Sequence, residues 1–181
     1  MLQDFDFFVN RHPDMLLYIV RHAIAVPHGT PGCAEDDRPL TAEGIEKMQK
    51  AARGLRGLSI RPDLILTSPL PRALQTAHIL LKTLDGEPPL ETLASLSPGG
   101  NRRDVYRELQ QKESLESIML VGHQPSLGEI AGEIAWGSAE NYVELKKGGA
   151  CCLQLEKLRP TPSGTLLWLA TPSILRSIAN Q

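Results

Sequence analysis

The sequence predicts an α/β three-layer sandwich with a mostly parallel central sheet and one antiparallel edge. Three observations carry that expectation. Short apolar runs alternate with longer segments whose apolar residues recur at helical spacing, the pattern of strand–helix–strand units. The strand-like runs are continuously apolar, as in strands covered on both faces. The last two such runs, Cys151 to Leu155 and Leu166 to Ala170, have no helical segment between them and read as a hairpin.

Residues 1–13 read as an extension, with Phe5, Phe7 and Phe8 available to pack on the domain or on a partner, and residues 14–181 read as one domain. Met15 to Val20 is the first strand, an unbroken apolar run. Arg21 to Pro39 carries glycines, prolines and acids and reads as a long loop. Thr41 offers an N-cap hydroxyl, and Glu43 and Glu46 suit the positive end of a helix. Ile45, Met48, Ala52 and Leu55 follow at helical spacing, with Gly57 as the stop. Asp63 to Thr67 is a second short strand. Ser68 to Pro71 turns into a helix with Leu70, Leu74, Ala77, Leu81 and Leu84 on one face, ended by Gly86 to Pro89. Thr92 to Leu96 reads as a strand, Pro98 to Gly100 as a turn and Arg102 to Lys112 as a helix. Ser117 to Val121 is a strong strand, and Pro125 sits at a favoured helix start ahead of Leu127, Ile130, Ala131 and Ile134. A turn containing Pro160, Pro162 and Gly164 joins the last two strands.

The 181 residues, 41% apolar, suffice for one ordinary core, and the scarcity of aromatics assigns that core to Leu, Ile, Val and Ala. A net charge of −2 leaves no global basic footprint for nucleic acid and no polybasic anchor for a membrane. No apolar run approaches the roughly 20 residues of a membrane span. Asp4 and Asp6 break up the N-terminal phenylalanines, with no basic region before them, unlike a signal peptide. The expected compartment is the cytoplasm. Cys33 and the vicinal Cys151 and Cys152 read as buried thiols, not a disulfide framework. Nothing in the chain assigns an oligomeric state.

Three polar clusters occupy equivalent places. Arg21 and His22 follow the first strand, Ser68 to Arg72 the second, and Gly122 and His123 the strand ending at Val121. Open α/β sheets bind ligands beyond the carboxyl ends of their strands, so parallel strands bring Arg21, His22, Arg72 and His123 to one rim. Two of the clusters also open helices, where free N–H groups and the dipole favour an anion. A guanidinium presents a fork of donors that matches phosphate oxygens. A neutral imidazole has an unshared electron pair near neutral pH and attacks phosphorus without a base to activate it. The pattern points to a phosphate pocket with a histidine nucleophile, in which cationic groups meet the charge on the equatorial oxygens. No metal or other cofactor is expected.

Four segments carry a family resemblance: L-Y-I-V-R-H-A at 17–23, R-P-L-T-A-E-G at 38–44, S-P-L-P-R-A-L-Q-T-A at 68–77 and V-G-H-Q-P-S-L at 121–127. In order, spacing and strand context, from about residue 15 to 155, the chain resembles the histidine phosphatase superfamily, the phosphoglycerate mutase-like group. R-H-A in place of R-H-G, a short loop ending in R-P-L-T, and P-G-G after the third strand are most similar to the small SixA-type phosphohistidine phosphatases. The resemblance implies a phosphoglycerate mutase-like fold with His22 as the nucleophile. It implies that Arg21 and Arg72 bind the phosphoryl oxygens, that His123 donates to the same group, and that the backbone N–H of Gln124 donates as well. The implied partner is a phosphorylated protein, a histidine phosphotransfer domain or a related carrier, in signal transduction.

One departure bears on substrate. Mutases and many ester phosphatases of the superfamily carry a Glu or Asp general acid shortly after the third strand begins. Thr92 to Gly100 has no carboxylate, and Glu91 just ahead is expected to point elsewhere. The chain also lacks the long insertion between Arg72 and His123 that caps small-substrate sites in relatives. Both absences favour an open site and a leaving group that needs little proton donation. The leading function is therefore a phosphohistidine phosphatase acting on a protein. The alternatives are a phosphatase of a small phosphate ester or anhydride, and a non-catalytic phosphate-dependent binding module, against which the complete pocket argues.

The remaining polar residues have plainer readings. Arg11-His12 precedes the first strand and reads as extension surface. His78, two turns into its helix, reads as solvated, and His28 and Cys33 lack the regular spacing of a metal site. Glu35, Asp36 and Asp37 read as a solvated loop cluster, with a rim that repels or orients substrates as the minor reading.

Overall fold

The computed structural model describes residues 15–179; the expected extension over residues 1–13, with its phenylalanines and the Arg11-His12 pair, lies outside the described residues. The chain runs β1 (Met15–Arg21), α1 (Ala42–Gly57), β2 (Leu64–Thr67), α2 (Pro71–Thr83), β3 (Leu90–Thr92), a 3₁₀ turn (Ala94–Leu96), α3 (Arg102–Gln111), β4 (Ser117–Gly122), α4 (Ser126–Trp136), β5 (Ala150–Lys157), β6 (Ser163–Ala170) and α5 (Pro172–Ile178). The six strands form one sheet in the order β3-β2-β4-β1-β5-β6. β3, β2, β4 and β1 are parallel, β5 runs antiparallel to β1, and β6 antiparallel to β5. This is the predicted α/β architecture with its antiparallel edge.

Strand periodicity divides the core into two layers. Leu17 and Ile19 of β1, Ile118 and Leu120 of β4, and Cys151 and Leu153 of β5 join α3 and α4 on one face. Tyr18, Val20, Met119, Val121 and Cys152 join α1, α2 and α5 on the other. Thr41 caps α1 as predicted, accepting from the Gly44 amide at 2.9 Å. Leu127, Ile130, Ala131 and Ile134 of α4 are all buried, with Pro125 one position ahead of the helix.

Several expectations shift. Ile45 is 37% exposed, although Met48, Ala52 and Leu55 of the same predicted face are buried. The inner face of α2 is Arg72, Ala73, Thr76, Ala77 and Leu80, with Leu74 and Leu81 at its margins. A hydrophobicity pattern alone could not find that face, because two of its five residues are polar. The strand predicted over Thr92 to Leu96 lies earlier, at Leu90–Thr92, where it pairs with Ile65 to Thr67; Ala94–Leu96 is the 3₁₀ turn. Gly164 lies inside β6, where a side chain would strike the Gln154 carbonyl. Cys151 and Cys152 are buried, whereas Cys33 is half-exposed.

Helix α5 was not predicted. Its start is ordinary: Thr171 accepts from the Ile174 amide at 3.4 Å, and Pro172 opens the first turn. It docks on α1 at Gly54, where a Cβ would lie 1.9 Å from the Leu175 carbonyl oxygen. Gly→Ala in a helix interior ordinarily stabilises by about 0.5–1 kcal/mol. Here the backbone clash should dominate, and Gly54→Ala should destabilise by about 1–3 kcal/mol. Chemical denaturation measures the difference; a gain in stability would show that α5 does not pack on α1 this closely.

Candidate active site

The site starts where three parallel strands stop at one height. Arg21 pairs with Gly122 across β1 and β4, and Thr67 pairs with Val121 across β2 and β4. The next residues continue the ladder: the His22 amide donates to the Gly122 carbonyl at 3.0 Å, and the Ser68 amide to the Val121 carbonyl at 2.9 Å. His22, Ser68 and His123 thus leave the sheet side by side. The rings of His22 and His123 lie 5.0 Å apart between centroids.

His22 is 6% exposed. Its Nδ1 lies 2.7 Å from the Ala23 carbonyl oxygen, which can only accept, so the neutral ring carries its proton there and Nε2 keeps a free electron pair. Burial, joined by the positive charges of Arg72, Arg21 and Lys147, pushes His22 down to about 4 against the opposing pull of the Ala23 bond. His123 is pushed down to about 3, first by burial and then by His22, Arg72, Arg21 and Arg38. Its Nε2 lies 2.9 Å from the Ser68 hydroxyl, which itself lies 3.4 Å from the Ser97 hydroxyl.

The guanidiniums are anchored by backbone carbonyls. Arg21 Nη1 donates to Leu145 O at 2.8 Å, and Arg72 Nη1 to Glu35 O at 3.0 Å. Burial lowers both arginines, and Arg38 lowers Arg72 further by like-charge repulsion. Both Nε atoms are buried without a partner among the described residues. One turn beyond Arg72, the Thr76 hydroxyl donates to Arg72 O at 2.7 Å and accepts from the Ala23 amide at 3.0 Å, tying α2 to the loop after His22. Gln124 spends its side chain as a brace, donating to Val143 O and accepting from the Gly128 amide, both at 2.8 Å. No acceptor is seen for its backbone N–H among the described residues.

The structure thus brings together Arg21, His22, Arg72 and His123, with Gln124 next in the chain. The loop after His22 adds Arg38, which the sequence reading left out of the pocket, and brings Glu35 to the rim. Arg38 donates through Nη1 to Val26 O at 2.7 Å and through Nη2 to the Glu35 carboxylate, whose other oxygen meets His28. The Arg38 and His28 hydrogen bonds pull Glu35 down to about 2. Its Oε1 stands 3.9 Å from Arg72 Nη2. Glu35 is therefore a rim carboxylate facing the arginine, not simply part of a solvated cluster. Glu91 instead pairs with Lys112 at 3.1 Å. Ser68, Thr76 and Arg38 all lay within the recognised motifs, and Thr76 stands at helical spacing from Arg72; nothing in the sequence marked Ser97.

Two imidazoles and two guanidiniums at the carboxyl rim of an α/β sheet define a phosphoryl-handling class, and this chain belongs to the histidine phosphatase superfamily. The family profile, histidine phosphatase superfamily (branch 1), matches residues 17–97. Within the superfamily the chain is SixA-type. An uncharacterized protein of Picosynechococcus sp. is 41% identical over 138 residues, covering 75% of this chain and 82% of that protein. Phosphohistidine phosphatase SixA of Escherichia coli is 29% identical over 164 residues, covering 90% of this chain and 97% of that protein. A solved structure of the protein histidine phosphatase SixA complexed with tungstate superposes with a TM-score of 0.77 at 25% identity, covering 88% of this chain and 98% of that one.

The depressed histidines make stability depend on pH. Unfolding returns both rings to about 6.5, so between that value and the native values near 4 and 3 the unfolded chain binds more protons. Their effect is absent above the unfolded value, and stability falls as pH drops below it. His22→Gln should flatten this loss. Urea denaturation at neutral pH and at mildly acid pH checks it; an equal loss in both proteins would place the His22 titration elsewhere.

Proposed function

We propose that the chain is a phosphohistidine phosphatase that removes phosphate from a protein through a covalent phospho-His22 intermediate. The observation that carries the reading is His22 itself, a buried neutral imidazole with Nδ1 committed to Ala23 O and Nε2 left for phosphorus. Membership of a superfamily of phosphatases supports the hydrolytic part, and similarity to SixA proteins supports the phosphohistidine part.

In this reading Arg21 and Arg72 hold the phosphoryl oxygens, with His123 and the Gln124 amide as further donors. The bond from His22 Nε2 to phosphorus forms as the substrate P–N bond breaks, and the departing imidazole takes a proton from water. Water then attacks phosphorus, the Nε2–P bond breaks, and inorganic phosphate and neutral His22 remain. The partner is a phosphorylated histidine phosphotransfer domain or carrier protein in the cytoplasm.

Glu35 shapes the choice of substrate. Held ionised by Arg38 and His28, it has no proton to give a departing alkoxide. A general acid typically contributes about 10²- to 10⁴-fold. The expected order of kcat/KM is phosphohistidine protein, then an activated aryl phosphate, then an alkyl phosphate. Hydrolysis of an alkyl ester ahead of a phosphohistidine protein, measured at one pH, would overturn the order. The second reading, a phosphatase of a small ester or anhydride, draws support from the same residue. A phosphate that displaces Glu35 from the arginines would free it to take up a proton. Glu35→Gln should then depress ester hydrolysis, whereas under the first reading it should not.

Rapid quenching with substrate should trap phosphate on His22 as an acid-labile, alkali-stable adduct, absent in His22→Ala; an adduct elsewhere refutes the mechanism. Arg72→Ala should lose roughly 2–4 kcal/mol of transition-state stabilisation, as for a preorganised donor. Near-normal kcat/KM in that variant would remove Arg72 from the pocket.

A further inference from the structure

A second, separate cavity of about 210 Å³ lies beside the His22 backbone, between the start of α1, the turn before β5, and α5. Lys47, Lys147 and Arg176 line it, and no acidic residue does. Lys47 also pairs with Glu43, outside the cavity; neither Lys147 nor Arg176 has a carboxylate partner among the described residues. The remaining wall includes apolar Ile24, Met48 and Pro172. Arg21, Arg72 and His123 take no part in it.

We propose that this cavity is a second anion site, which binds a small phosphate-bearing molecule and reports its occupancy to His22. Lys147 and Arg176, two uncompensated like charges around one small space, repel each other, and an anion between them removes the repulsion. A guanidinium fork with two ammonium groups suits phosphate oxygens. The volume is below the roughly 300–1,000 Å³ of pockets for drug-sized ligands, so the occupant is about the size of a diphosphate. The apolar wall accommodates a short carbon portion.

Coupling to the first pocket is direct. Gly148 lines the cavity, held at φ +77°, and its N–H is 3.1 Å from both the Arg21 and the His22 carbonyl oxygens. Ala23, whose carbonyl holds His22 Nδ1, lines the cavity as well. An anion drawn onto Lys147 therefore pulls on the turn that supports the nucleophile. This also gives α5 a role in ligand binding, through Arg176.

The test uses the full chain and methylenediphosphonate, which cannot be hydrolysed, with vanadate present at a concentration that saturates inhibition. Calorimetry should show one equivalent bound, and the Gly148 and Ala23 amide resonances should move. Lys47→Gln combined with Arg176→Gln should weaken that binding by about tenfold or more, while vanadate inhibition persists. Absence of binding once vanadate fills the first pocket, or equally tight binding in the double variant, would overturn the proposal.

Discussion

The candidate site depends on the register of three parallel strands. A slip of one residue between β1 and β4 would turn His123 to the opposite face of the sheet. Burial alone does not prevent such a slip, because both faces of these strands are apolar. The pin lies at the opposite end of the sheet. The Asp63 carboxylate, just before β2, accepts from the amides of Glu116 and Ser117 at 3.0 and 2.8 Å and from the Ser117 hydroxyl at 3.1 Å. The Leu16 amide donates to Glu116 O at 2.8 Å, which brings β1 into the same lock. With the amino ends aligned, the carboxyl ends follow, and His22, Ser68 and His123 emerge together.

The electrostatics follow from what is buried there. Arg72 and the two histidines are almost wholly removed from water. With half-buried Arg21 beside them, four cations would repel one another severely, since desolvation penalises each and weak screening strengthens the repulsion. Both imidazoles instead stay neutral, which halves the charge. The guanidiniums reach backbone carbonyls at Leu145 and Glu35, not buried carboxylates. The pocket therefore keeps a positive potential, while Glu35, exposed at the rim, balances the charge without filling the space.

Much of this could be read from the sequence, for identifiable reasons. Unbroken apolar runs revealed β1, β2 and β4, because strands covered by helices on both faces need no polar alternation. The chemistry-bearing residues stood immediately after those runs, so fold and pocket were read by one argument. The misses have other causes. The inner face of α2 carries Arg72 and Thr76, so hydrophobic spacing found its margin, at Leu74 and Leu81, and missed part of its centre. β3 has three residues at a sheet edge, too few for a periodic signal. α5 has seven, and its burial rests on a backbone approach at Gly54 that no side-chain pattern records. Glu35 and Arg38 sit in an irregular loop, where the partners of a charge are set by tertiary folding.

The sheet order also sets a timetable for the newborn chain. β1 is made first among the described strands, yet its neighbours are β4 and β5, so it has no strand partner until residues 117–122 and then 150–157 exist. On a ribosome, the oily Met15–Val20 segment waits through most of synthesis with both edges open. Long-range pairing of this kind folds slowly and exposes the intermediate to misassociation. A nascent chain released before β4 would carry His22 at the end of an unpaired strand, without the β4 edge and the second imidazole that complete its pocket.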